Sequence, residues 1–196
     1  MMASLSLAAV TFSQALSTNI FVSSLDPLMS VLSAMNRKYN MEKYLSLVEK
    51  LRTVKPNIEL STDMIVGFPG ETDKDFMDSV EAMKNIRFAF AFLFAFSPRK
   101  GTVAYSMDGA IDETVKKERL AHIMSVQDAI SKEISDSYIG KKVEILSEGL
   151  NSDGACVGKT RTNKKVFFDD TQNTYGKLVT VEITNSVSVA LKGKLC

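Results

Sequence analysis

The chain has 196 residues, 24% charged and 45% hydrophobic, with a net charge of +1. That balance excludes a disordered chain and a polycation, so any contact with nucleic acid has to come from a local patch. Two cysteines, Cys156 and Cys196, and one histidine, His122, form no CxxC pair and exclude a zinc or iron–sulfur site built from these residues alone; free thiols in a reducing cytoplasm are expected.

Residues 1–30 carry one charge, Asp26. No basic stretch precedes the apolar run Leu5–Val10, which is also too short and too interrupted by Ser and Thr to cross a bilayer. No signal peptide or membrane span is expected, and no role is assigned to this segment. From Asn36 the pattern becomes regular. Asn40 is placed to cap a helix from about Met41 to Thr53, with Tyr44, Leu45, Val48 and Leu51 on one face, and Pro56 ends it. Ile58–Val66 alternates and then turns apolar, as a parallel strand does. Thr72 starts a helix with Asp73 and Asp75 in its first turn and Phe76, Val80 and Met83 as its apolar stripe. Arg87–Phe96 is nearly all apolar and aromatic, which predicts a strand buried on both faces, with Ser97–Thr102 as its exit loop. Asp112 caps a long helix to about Ser137, where Leu120, Ile123, Met124, Ile130 and Ile134 recur at helical spacing.

The texture changes at Tyr138. Val143–Leu146, Val166–Phe168, Leu178–Ile183 and Val187–Leu191 read as short strands between Gly, Asn and Asp turns, which predicts a small antiparallel barrel. The division is therefore residues 1–30 as an undefined segment, 31–137 as a βα-repeat part and 138–196 as an all-β module. Two strand–helix units leave a parallel sheet with bare edges, so the βα part looks like the second half of something larger.

Asp63–Thr72 joins a buried strand through a Gly/Pro turn to a capped helix start. Such a turn aims backbone N–H groups at the space above the strand's carboxyl end, where α/β folds bind anionic or polar ligands. Gly67 and Gly70 are also what a tight turn alone requires. Glu71 is expected to favour the dipole of the helix behind it. Ser97 and Arg99 lie at the next strand end, although Arg99 is equally consistent with a solvated loop charge. In the β module, Lys159, Arg161, Lys164 and Lys165 gather with Thr162 and Asn163 on one turn, a composition suited to a phosphate backbone. Phe167 and Phe168 are candidates for base stacking, with at least one expected in the core. His122 and the methionines read as structural.

Taken together, Met35-Asn36-Arg37-Lys38-Tyr39, Asp63–Thr72, Phe96–Thr102, Lys116–Leu120 and Gly158-Lys159-Thr160-Arg161-Thr162-Asn163 resemble, in family order, the MiaB-type tRNA methylthiotransferases of the radical-SAM group. The resemblance runs from about Val31 to Cys196. It implies the back half of a radical-SAM (βα)-barrel followed by an OB-like TRAM barrel. It also implies 2-methylthiolation of isopentenyladenosine beside the anticodon, with S-adenosylmethionine and two 4Fe-4S clusters in the full-length family. Val66, Gly67, Ser97 and Arg99 would line the S-adenosylmethionine side. Lys159, Arg161, Thr162, Asn163, Lys164 and Lys165 would contact the tRNA anticodon stem-loop.

The departures are as informative. The family's cluster-binding CxxxCxxC motif and its N-terminal domain have no counterpart here, and Leu25-Asp26-Pro27-Leu28-Met29 stands where the family has Gln-Ser-Gly-Ser. The expectation is a truncated, frame-disrupted or short-started copy that is inactive alone and has no catalytic or metal-binding residue of its own. The alternatives are a stand-alone RNA-binding module and a remnant without function. The bare barrel edge predicts self-association or a partner that supplies the missing half.

Overall fold

The computed structural model describes residues 28–196 except 38, 39, 153, 170–173 and 188. The segment before residue 28, two residues of the Met35–Tyr39 motif and one residue of the expected last strand therefore lie outside the described residues. The elements run α1 (Leu28–Ala34), α2 (Met41–Val54), β1 (Ser61–Val66), α3 (Asp73–Ile86), β2 (Phe90–Ala95), a 3-10 turn (Val103–Ser106), α4 (Glu113–Asp136), β3 (Lys142–Leu150), β4 (Cys156–Thr160), β5 (Lys165–Asp169), β6 (Leu178–Val187) and β7 (Ala190–Leu195). Among the described residues no helix is long and apolar enough to cross a membrane.

The helices begin where the capping residues sit. Asn40 accepts the Lys43 N–H at 2.9 Å, and Asp112 accepts the Thr114 N–H at 2.8 Å. Thr72 and Asp75 form a reciprocal capping box in front of α3, which satisfies two N–H groups that the first helical turn leaves unpaired. β1 and β2 pair in parallel, Ser61 opposite Phe90 through Val66 opposite Ala95. Helices α2, α3 and α4 cover one face of this two-stranded sheet. Tyr44 and Val48, Val80 and Met83, and Ile123 and Ile130 meet Met64 and Val66 there. Burying each such side chain contributes about 1.5–3 kcal/mol. Met124, expected on this seam, is 48% exposed.

The other face is uncovered. Ser61, Asp63 and Ile65 of β1 share it with Phe90, Phe92 and Phe94 of β2, and Phe92 and Phe94 are 53% and 52% exposed. The strand expected to be buried on both faces is thus buried on one. An all-apolar run records that a strand avoids water on average, not how many layers flank it. The strand is also shorter than Arg87–Phe96, because Arg87 ends α3 in a left-handed conformation and Phe88 drops into the core.

β3 to β7 close into a barrel in the order β3-β4-β5-β7-β6. Ile145, Val166, Phe168, Val181, Ile183 and Leu191 fill it. Against the expectation of a barrel antiparallel throughout, β5 and β7 run parallel. Gly158 and Gly193 sit where a Cβ would come within 2.6 Å of the Leu146 carbonyl oxygen and within 2.5 Å of the Glu182 carbonyl oxygen. α4 feeds the barrel directly. Its last residues turn at Gly140, whose N–H donates to the Ile183 carbonyl at 2.8 Å, and Ser186 Oγ donates to the Asp136 carboxylate.

Candidate ligand loop and nucleic-acid interface

The loop between β1 and α3 closes on itself. Gly67 takes φ +73°, in the left-handed region, and its N–H donates to Glu71 Oε2 at 2.6 Å. The Gly70 N–H donates to the Gly109 carbonyl at 2.9 Å, and the Glu71 N–H to the Phe68 carbonyl at 2.9 Å. The donors expected to face a ligand are therefore already used inside the protein. Val66 sends its side chain into the core at 1% exposure, and its carbonyl accepts the Phe96 N–H at 2.8 Å.

Glu71 does more than favour a helix dipole. It is 5% exposed, and Arg119 Nη1 of α4 donates to the same Oε2 at 2.6 Å, while Arg119 Nη2 reaches Asp73 at 2.6 Å. Burial pushes the Glu71 carboxyl above its ordinary range, against the pull of the Gly67 N–H and Arg119. One turn earlier on α4, the Lys116 side chain lies against Gly67, where a Cβ would meet Lys116 Cγ at 2.4 Å. Lys116 Nζ pairs with Glu113 at 2.7 Å and sits 5.7 Å from the Phe96 ring centroid. The spacing of Lys116 and Arg119 thus answers that of Gly67 and Glu71: one α4 face backs the whole loop. Ser97 and Arg99 are exposed beyond β2, and the Arg99 carbonyl accepts from Thr102 Oγ1 at 2.8 Å.

The basic turn of the barrel divides in two. Arg161, Asn163 and Lys165 are exposed, and Asn163 holds φ +60°. Arg161 forks onto Glu144 Oε1 at 2.9 and 2.6 Å, and Lys159 pairs with Glu148 at 3.3 Å. Lys164, expected among the phosphate contacts, is 6% exposed and turns the other way. Its Nζ lies 3.7 Å from Glu59 Oε2, and Glu59, on the α/β side just before β1, is itself 6% exposed. Tyr138 Oη donates to Glu59 Oε1 at 2.7 Å and lies 3.3 Å from Thr162 Oγ1. Thr160 Oγ1 accepts the Lys164 N–H at 3.0 Å. Burial raises the Glu59 carboxyl and lowers the Lys164 ammonium, each opposed by the other's charge. This clasp joins the barrel to the α/β unit, and no spacing along the chain announced it. Phe168 is core at 3% exposure, while Phe167 is half-buried with Lys165 Nζ 5.5 Å from its centroid.

A radical-SAM cluster with one open iron needs three thiolates. These 196 residues hold two: Cys156 packs against the barrel core and Cys196 is exposed. Among the described residues no group of three or more His, Cys, Asp or Glu could hold a metal ion. The residues present do not fit such a cluster.

Residues 136–196 match the TRAM domain, and residues 16–83 match the radical SAM superfamily; the second match begins inside the segment that the sequence set apart. The chain is 44% identical over 167 residues to a protein of Acetivibrio thermocellus, with 84% of this chain and 35% of that protein covered. It is 44% identical over 167 residues to one of Alkaliphilus oremlandii, 84% and 36% covered, and 42% identical to one of Moorella thermoacetica, 84% and 38% covered. Each of the three is named tRNA-2-methylthio-N(6)-dimethylallyladenosine synthase. The chain spans about a third of the length of these curated relatives.

Proposed function

We propose that the chain, 44% identical over 84% of its length to proteins named tRNA-2-methylthio-N(6)-dimethylallyladenosine synthase, is the tRNA-contacting C-terminal part of a MiaB-type tRNA methylthiotransferase. In this reading the TRAM barrel binds the anticodon stem-loop through Lys159, Arg161, Asn163 and Lys165. The β1–β2 strand ends flank one side of an S-adenosylmethionine site, where the Val66–Gly67 turn, its Gly67 N–H and Val66 carbonyl already bonded within the protein, offers shape and the exposed Ser97–Arg99 loop offers polar groups. The clusters that drive 2-methylthiolation of the isopentenyl-type adenosine would be ligated by cysteines outside these residues. Incubated alone with iron, sulfide, S-adenosylmethionine and a strong reductant such as dithionite, the chain should therefore yield no 5′-deoxyadenosine.

The observation that carries the proposal is the exposed basic turn on a closed five-stranded barrel within the TRAM match. Lys164 and Thr162 support it differently from the other residues of that turn: they hold it in place from behind. The test is binding of an anticodon stem-loop at rising salt. Affinity should fall steeply with salt, and K159A and R161A should each flatten the log–log slope by about one. Affinity independent of salt removes the phosphate contacts and the proposal with them. The bare Phe90, Phe92 and Phe94 face is, on the same proposal, covered by the missing barrel segments or by a second copy. A concentration-independent monomer in sedimentation rules out the second copy.

A further inference from the structure

The outer surface of the barrel carries an aromatic platform beside the basic turn and sharing its Lys159 and Lys165. Two rows of side chains can be followed by strand register. One row runs Leu178, Leu146, Lys159 and Lys165 across β6, β3, β4 and β5. All four are exposed. In the next row, Gly149 and Phe167 pair with Val157 from its two sides, and Lys192 of β7 follows Phe167. A bulge between Ser147 and Gly149 shifts the register there. It turns Gly149 to the surface, although Ser147, two residues earlier, is buried at 3%.

Gly149 is the seat of Tyr175. A Cβ on Gly149 would lie 3.1 Å from Tyr175 Cδ2 and 3.3 Å from Cε2, and Gly149 has φ +103°. The ring therefore rests on bare backbone that no larger residue would leave free. The turn bearing Tyr175 is tied to the bulge: the Gly176 N–H donates to the Ser147 carbonyl at 2.9 Å, the Ser147 N–H to the Lys177 carbonyl at 3.0 Å, and Thr174 Oγ1 to Ser147 Oγ at 3.2 Å. Yet Tyr175 is 69% exposed. An aromatic side chain fixed at its base and open to water is what base stacking uses, because its ordering cost is met before the ligand arrives. Lys177 shares its turn, while Lys159, which pairs with Glu148 at 3.3 Å, Lys165 and Lys192 lie one to three strands farther along the two rows, all exposed.

We propose that Tyr175 stacks an unpaired RNA base on the outer face of the barrel, with the half-buried Phe167, two strands away, placed for a second base and the exposed lysines of the two rows for the phosphates. This rests on the RNA-binding reading above and deepens it: the surface selects single-stranded loops over duplex. Paired bases present no free face, and sequence-tolerant aromatic stacking is how single strands are held.

The test compares an RNA hairpin having an unpaired loop with a fully paired RNA duplex of equal length, by fluorescence anisotropy on the whole chain. Y175A should weaken hairpin binding about 5- to 150-fold and leave duplex binding unchanged, whereas Y175F should retain hairpin affinity. The chain has no tryptophan and five tyrosines, so the difference between the unaltered chain and Y175A isolates the Tyr175 emission, and the hairpin should quench less in Y175A. Equal losses of Y175A on hairpin and duplex, or no loss on the hairpin, overturn the platform while leaving the basic turn standing. Failure of the unaltered chain to bind either RNA overturns both readings.

Discussion

Removal of the Glu59 carboxylate is the sharpest test of how the two units hold together. Glu59 and Lys164 are each 6% exposed, 3.7 Å apart, with the Tyr138 hydroxyl 2.7 Å from the other carboxylate oxygen. In E59A the Lys164 ammonium stays buried with no counter-charge, and Tyr138 loses an acceptor. Removing one partner of a buried pair costs about 3–5 kcal/mol. In a chain of 196 residues, about 1 kcal/mol moves Tm by roughly 2–4 °C, so Tm should fall by about 6–20 °C in circular dichroism melts. The clasp lies between the two units, so the melt should also broaden or split. The double variant E59L/K164M replaces the pair with apolar side chains of similar size and should recover most of the loss, because the attraction of a buried pair barely exceeds its desolvation. An E59A melt within about 2 °C of the unaltered chain would refute the reasoning; so would a double variant as unstable as E59A.

Two further expectations concern the loop after β1. G67A should lower Tm by about 2–8 °C: the left-handed φ costs about 1–2 kcal/mol with a side chain present, and the added Cβ would stand 2.4 Å from Lys116 Cγ; an unchanged Tm would mean the loop shifts freely. For Glu71 the pH dependence carries a sign. Its folded pKa is raised, chiefly by burial, so the folded chain binds more protons than the unfolded one just above the ordinary carboxylate range. Its contribution to stability is complete below the unfolded value and is lost as pH rises through the folded one. The Tm of the unaltered chain minus that of E71Q should therefore shrink as pH rises above the ordinary carboxylate range, about 4; a difference that grows with pH contradicts this.

What could be read from the sequence was whatever local chemistry decides. Asn40, Thr72 and Asp112 each cap the helix they were expected to start, because a cap acts within three residues of itself. The strand Cys156–Thr160 went unread, since its five residues include a glycine and two polar side chains. Long-range pairing was invisible. Glu71 finds Arg119 at a separation of 48 residues, and nothing near Lys164 distinguishes it from the exposed lysines of the same turn. A charge cluster in sequence says only that charges are close. Whether each faces solvent or a carboxylate depends on how two units dock.

Helix α4 has a consequence for scale. Its 24 residues extend about 36 Å at 1.5 Å per residue. Its first two turns back the Gly67–Glu71 loop with Lys116 and Arg119, and its far end delivers Tyr138 to the clasp. The helix is thus a ruler, setting a fixed separation and rotation between the strand-end loop and the barrel. Deleting one turn would shorten it by about 5 Å and carry Tyr138 away from Glu59, so the spacing of the two ends and the clasp between them are set by the same helix length.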